Sequence, residues 1–235
     1  MLIENKIIFI GVPKCASYSF RTACVIHNLK TEYVNETVNN TMRLGMELQY
    51  HHHDTIEALE KKFGTNYPYV AIKRDPVKRF ISGWGFFIQK VVELFPERKD
   101  YFLSLDNDYV ISFLKKNVTN CDLLLNKRTI ETVFDNFLID HNITIERDWE
   151  WRKTSVKLNT MTSQFAYHKN RPFIKFFDIT NMSELETYMS EMLNIDFKMV
   201  KENETKVVTA LENNQQLSDF VYSYVEPNLT KKSLI

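Results

Sequence analysis

Residues 6–12, Lys-Ile-Ile-Phe-Ile-Gly-Val, form one unbroken apolar run, and this run limits the possible folds more than any other feature of the chain. A strand with one face in water alternates polar and apolar residues. A continuous run reads instead as a strand covered on both faces, the condition of a parallel strand in an α/β protein. Pro13 ends the run and a loop of small residues follows. From Ser17 to Leu29, Phe20, Ala23 and Cys24 fall on one helical face. The chain therefore opens as strand, tight loop, helix.

The same grammar recurs. Tyr69 to Lys73 (YVAIK) reads as a second short buried strand, stopped by Arg74-Asp75-Pro76. Asp75 can cap the helix that follows and Pro76 suits its first turn. That helix carries Val77, Phe80, Ile81, Trp84, Phe87, Ile88, Val91 and Val92 at three-and-four spacing. A third strand is expected at Pro172 to Phe177 and another helix from about Met182 to Leu193. Between Leu94 and Lys169 the pattern is mainly helical. No Pro/Gly/Ser-rich linker divides the chain and no internal repeat occurs. Strands alternating with helices predict an α/β fold of three layers, P-loop-like in its opening unit. A central, mostly parallel sheet is flanked by helices, with helical insertions in the middle of the chain. Residues 1–235 are read as a single domain.

Charge and cysteine content narrow the function. Thirty basic and thirty acidic residues balance, which excludes a protein that coats nucleic acid but leaves room for a local basic cleft. Cys15, Cys24 and Cys121 are too few and too scattered for a disulfide framework or a metal cage. The start of the chain runs straight into the apolar strand, and no long hydrophobic segment occurs. The expectation is a cytoplasmic protein without signal peptide or membrane anchor. Asn-X-Ser/Thr triplets at Asn35, Asn117, Asn142 and Asn203 are read as chance in so Asn-rich a chain. Oligomeric state leaves no sequence signal.

Three segments carry candidate chemistry. The loop Pro13-Lys14-Cys15-Ala16-Ser17-Tyr18-Ser19 joins a buried strand to a helix N-terminus, where backbone N–H groups and the helix dipole favour an anion. Lys14 adds a point charge, with Ser17 and Ser19 after it. The glycines and terminal Gly-Lys-Ser/Thr of a nucleotide triphosphatase loop are missing. Read from its residues alone, the loop is equally a plain connection with an exposed lysine. The second segment runs from Lys73 to Trp84 (KRDPVKRFISGW). It puts Arg74 at the carboxyl end of a strand, the edge where open α/β sheets bind ligands, with Ser82 about two helical turns on. An arginine fork and a hydroxyl can together hold a terminal phosphate. Arg79 is a secondary candidate, and the alternative is a capped, salt-bridged helix start. The third segment is His51-His52-His53, ahead of a helix starting near Asp54-Thr55. Histidine is the natural base near neutral pH. A surface cluster or adventitious metal binding is the competing reading, and no partner ligands at tetrahedral spacing follow.

FIGVPKCASYSFR resembles the 5'-phosphosulfate loop of the sulfotransferases that use 3'-phosphoadenosine-5'-phosphosulfate (PAPS), and is closest to the Golgi-type carbohydrate enzymes. In that family a Pro-Lys-X-X-Ser/Thr loop follows an apolar strand. The segment from Arg74 to Ser82 resembles the family's 3'-phosphate motif, an arginine with a serine eight residues on. His53-Asp54-Thr55-Ile56-Glu57-Ala58-Leu59 is similar to its His-X-Thr-X-X-X-Leu stretch. The resemblance implies a sulfotransferase with PAPS as co-substrate, 3'-phosphoadenosine-5'-phosphate (PAP) as product, and an acceptor hydroxyl on a carbohydrate. Lys14 would act in catalysis and, with Cys15, Ala16, Ser17, Tyr18 and Ser19, in donor binding. Arg74 and Ser82 would take the 3'-phosphate. His53 would be the base, with His51 second. No metal is implied. Tyr18 departs from the family pattern, which has a small hydroxyl residue there; its contact falls to backbone or to Ser19. A P-loop small-molecule kinase, or an idle nucleotide-binding or interaction module of the same fold, are the competing functions. Trp149, Trp151, Arg152, Gln164 and Tyr167 are candidates for an acceptor groove. His27, His141 and His168 read as structural or solvent-facing.

Overall fold

The computed structural model describes residues 1–34, 53–117, 127–144, 163–201 and 208–227, with side chains of 127–132 left aside. Its elements in chain order are β1 (Leu2–Ile3), β2 (Ile7–Ile10), α1 (Ser17–Ile26), β3 (Thr31–Glu32), α2 (Ile56–Phe63), β4 (Tyr69–Lys73) and α3 (Pro76–Leu94). After a 3-10 turn come α4 (Lys99–Leu103), α5 (Asn107–Asn117), α6 (Lys127–Asp140), α7 (Gln164–His168), β5 (Ile174–Asp178), α8 (Met182–Leu193) and α9 (Gln215–Phe220). A short π-helical turn, Val221–Val225, follows α9.

The strands make one sheet of order β3-β1-β2-β4-β5. β2, β4 and β5 run parallel, with Phe9 opposite Val70 and Ala71 opposite Phe176. The expected parallel sheet is thus present at the centre and antiparallel on one side. There β1 folds back on β2 and β3 pairs with β1. The reversal is a tight turn in which Glu4 (φ 50°) and Asn5 (φ 51°) are both left-handed and the Lys6 N–H donates to the Ile3 carbonyl at 2.9 Å. These are the marks of a turn whose twist suits a hairpin.

Compact packing divides the chain into two units: Met1–Arg74 with Gln164–Glu204, and Asp75–Ser163 with Thr205–Ile235. The first holds the sheet. All of β2 and the first four residues of β4 are buried, as their apolar runs require. α1 lays Phe20 flat on Phe9, ring centroids 3.9 Å apart. α1 then ends in a Schellman motif: Asn28 is left-handed (φ 53°), its N–H donates to the Val25 carbonyl, and the Leu29 N–H reaches back to Cys24 at 2.9 Å. The helical pattern read through Leu29 therefore stops at Ile26. Asn142 closes α6 the same way, with Ile143 N–H donating to Leu138, and left-handed Asn194 follows α8. An Asn-rich chain finds a use here, since asparagine tolerates this backbone better than most residues.

The second unit is helical, as the middle of the sequence implied. The stripe of α3 (Val77, Phe80, Trp84, Phe87, Ile88, Val91) packs in one core with Phe102, Phe113, Phe134, Phe137 and Phe220. The Asp75 carboxylate accepts the Lys78 N–H at 2.8 Å and caps α3, with Pro76 in the first turn. Among the described residues no helix is long and apolar enough to cross a membrane.

Candidate functional site

The loop after β2 departs from ordinary backbone at two residues. Lys14 (φ 62°) and Ala16 (φ 55°) are both left-handed, and neither is glycine. Each such residue costs about 1–2 kcal/mol, and this kind of strain gathers at ligand-binding turns. The Cys15 N–H between them closes a turn on the Val12 carbonyl at 3.2 Å, and a turn that leads through left-handed residues into a helix start is a common setting for an anion. Ala16 is also the N-cap of α1, where it offers no side-chain acceptor to the first-turn N–H groups. A sequence selected for helix stability alone would put Ser, Thr, Asp or Asn there. Ser17 and Ser19 are buried in that first turn, and Tyr18 is half-buried with the Arg21 guanidinium 5.3 Å from its ring centroid.

Arg74 continues β4 by one residue and meets this loop. Its Nη1 donates to the Lys14 carbonyl at 3.0 Å. Burial and the Arg74 guanidinium lower the Lys14 ammonium from its ordinary 10.5 to about 8, with a smaller opposing pull from Cys15. Both causes are those of a cation held in a confined positive site. Cys15 is fully buried and its Sγ lies 3.4 Å from the Gln164 Oε1.

His53 stands just ahead of α2. The Thr55 hydroxyl caps that helix by accepting the Ala58 N–H at 3.4 Å. Lys169 pairs with Glu57, and Arg171 with Glu60 at 3.6 Å, which ties α2 to the turn before β5. The His53 Nδ1 is 2.7 Å from the Gly11 carbonyl. A carbonyl only accepts, so Nδ1 carries the proton, and in the neutral ring the basic lone pair is on Nε2. The Gly11 carbonyl lies three residues before Lys14, so His53 is anchored to the backbone of the same loop. The buried Tyr167 ring lies edge-on to His53, 6.4 Å between centroids.

Lys14, Cys15, Ala16, Ser17, Tyr18, Ser19, His53 and Arg74 all belong to the first unit, and the hydrogen bonds above join the loop to Arg74 and to His53. Ser82 belongs to the second unit, half-buried on α3. Arg79, the secondary phosphate candidate, is taken up inside that unit. It is 1% exposed, and its Nη1 donates to the fully buried Glu226 carboxylate at 3.1 Å. The Ser163 hydroxyl donates to the same carboxylate. His51, His52, Cys121, Trp149, Trp151 and Arg152 lie outside the described residues. The isolated histidines have structural partners. His27 accepts the Lys198 N–H at 3.1 Å, His141 bridges the Tyr101 and Tyr109 hydroxyls, and His168 accepts the Asn170 N–H at 3.0 Å. Among the described residues no group of three or more His, Cys, Asp or Glu could hold a metal ion.

Two participants escaped the sequence reading. The Gly11 carbonyl that fixes the His53 tautomer is a backbone atom with no sequence signature. Gln164, read as a groove candidate, is 1% exposed and bonds to the Arg74 main chain across ninety positions. No local pattern carries such a pairing.

A family model described as the Sulfotransferase family matches residues 2–217. No curated protein and no solved structure matches the chain.

Proposed function

The chain belongs to the sulfotransferase family, and from that premise we propose that it transfers a sulfuryl group from PAPS to an acceptor hydroxyl on a carbohydrate. The observation that carries the donor assignment is the Arg74 guanidinium bonded to the carbonyl of Lys14, beside a helix start that an alanine leaves without a side-chain cap. Lysine, arginine and first-turn N–H groups are all donors, the set an adenosine bisphosphate requires. The family match runs through both compact units, which supports reading residues 1–235 as one catalytic domain with the expected P-loop-like, three-layer build.

In this reading the acceptor oxygen attacks sulfur in line. The bond from sulfur to the 5'-phosphate oxygen breaks as the bond from sulfur to the acceptor oxygen forms. The acceptor proton passes to His53 Nε2, and PAP leaves carrying the negative charge. Positioning and electrostatics do most of the work in such transfers. The first-turn N–H groups of α1, with the Ser17 and Ser19 hydroxyls, hold the 5' end of the donor, and Lys14 meets the charge that develops on the leaving oxygen. His53 receives the proton because its other nitrogen is committed to Gly11. By the motif resemblance, Arg74 and Ser82 take the 3'-phosphate. Nothing in this chemistry calls for a metal ion.

Calorimetric titration with PAP in EDTA tests the reading. Uptake of PAP without magnesium, together with transfer of labelled sulfate from PAPS to a member of a glycan panel, is the expected result. Preference for magnesium–ATP would point to a kinase. PAP uptake with no transfer to any acceptor would point to an idle module.

A further inference from the structure

Gln164 is the first residue of α7 and is almost fully buried. Its side-chain amide makes both bonds that a neighbouring strand would make to Arg74. Oε1 accepts the Arg74 N–H at 3.3 Å, and Nε2 donates to the Arg74 carbonyl at 2.9 Å. β4 ends at Lys73, whose carbonyl is taken by the Ile179 N–H at 3.0 Å. Arg74 is therefore the first residue past the ladder, and the glutamine amide stands in for the missing partner. The same Oε1 lies 3.4 Å from the Cys15 Sγ, and Cys15 sits between the two left-handed residues of the loop. Arg74 Nη1 closes the circuit on the Lys14 carbonyl. Glutamine, arginine main chain, arginine head, loop and cysteine form one closed ring of hydrogen bonds.

We infer that Gln164 is a positioning residue for the donor site. It fixes the Arg74 backbone and the Lys14–Ala16 turn together, so that lysine and arginine reach an adenosine bisphosphate as one preformed unit. The inference rests on the proposed donor reading and goes further by assigning a role to a buried amide that touches no ligand. Two physical points carry it. A side chain can replace a ladder partner only when both its donor and its acceptor are used, and Gln164 uses both on one residue. The Arg74 head has several rotatable bonds, and a fixed base together with the bond to Lys14 narrows the positions it can take. Preorganisation of this kind raises affinity without adding a ligand contact.

Gln164→Leu removes the amide at nearly constant volume. It is expected to weaken PAP binding about tenfold, the scale of one or two neutral hydrogen bonds. In an Arg74→Ala background the same change is expected to cost less than about twofold, since the group it positions is gone. A merely structural glutamine would lower the melting temperature and leave PAP affinity the same in both backgrounds. Gln164→Glu covers the case in which leucine does not fold. A glutamate there that is ionised lacks a donor for the Arg74 carbonyl, and one that burial keeps protonated lacks the amide's second N–H, so an affinity loss is expected in either form. A folded variant of either kind that binds PAP within about twofold of the wild type overturns the inference while leaving the donor reading intact. A wild-type chain that takes up no PAP overturns both.

Discussion

The lowered Lys14 ammonium gives the proposed donor site a pH dependence of its own. With its pKa brought down to about 8 by burial and by Arg74, Lys14 is charged in about 90% of molecules at pH 7 and in about 10% at pH 9. The phosphates of PAP have finished ionising by pH 7, their second pKa lying near 6, so the ligand does not change over this window. If only the ammonium form binds, apparent affinity falls about tenfold from pH 7 to pH 9, or ~1.4 kcal/mol. The sign follows from linkage. A base whose free-state pKa is depressed gives up its proton as pH rises through about 8, and an arriving phosphate dianion of PAP draws one back. Calorimetry in buffers of different ionisation enthalpy should therefore show proton uptake rising toward one per PAP at pH 9. Lys14→Arg keeps the charge throughout and leaves Cys15 in place, so its affinity should stay nearly level over the same range. Equal slopes for wild type and Lys14→Arg would refute the reasoning, because the titration would then belong to another group.

Three further outcomes are expected. His53→Ala should lower turnover by about 10²–10⁴-fold while PAP affinity stays near normal, as separate steady-state and binding measurements would show. Ala16→Gly relieves a left-handed alanine at φ 55° and should raise unfolding free energy by about 0.5–1 kcal/mol in a urea titration; a lowered value would contradict the strain. Arg79→Ala leaves the Glu226 carboxylate buried without its ion pair and should destabilise by about 3–5 kcal/mol. The paired replacement Arg79→Met with Glu226→Leu should recover most of that loss.

Long, strongly patterned elements were legible from residues alone. β4 begins and ends where YVAIK does, α8 spans Met182–Leu193 as its spacing implied, and the Asp75–Pro76 signal marked the start of α3. The two-residue strands β1 and β3 were not, because nothing periodic fits in two residues; they exist by pairing with Ile7, Ile8 and each other. β5 begins at Ile174 rather than Pro172, since a proline lacks the N–H a ladder needs and the Ile174 N–H first closes a turn on Arg171. At the candidate site, the sequence supplied residue types and order, so Lys14, His53 and Arg74 could be named as candidates. It could not supply the strained backbone of Lys14 and Ala16, the Gly11 carbonyl behind His53, or the Gln164 amide behind Arg74. The first is unusual for residues other than glycine, and the other two depend on atoms brought together from distant positions. Arg79 shows the opposite limit. An arginine five residues from Arg74 looked suited to phosphate, and only packing reveals the buried Glu226 that occupies it.

The central claim, that Arg74 grips the 3'-phosphate while the Lys14 loop grips the other end of the same nucleotide, is tested most directly by comparing two ligands. PAP carries a 3'-phosphate and adenosine 5'-phosphosulfate does not. Arg74→Ala should weaken PAP by about 10–150-fold, the range of 1.5–3 kcal/mol for hydrogen bonds to charged groups. It should weaken adenosine 5'-phosphosulfate by a much smaller factor, because that ligand loses only the steadying of the loop by the Arg74 bond to the Lys14 carbonyl. An equal loss for both ligands, or for neither, would contradict the assignment.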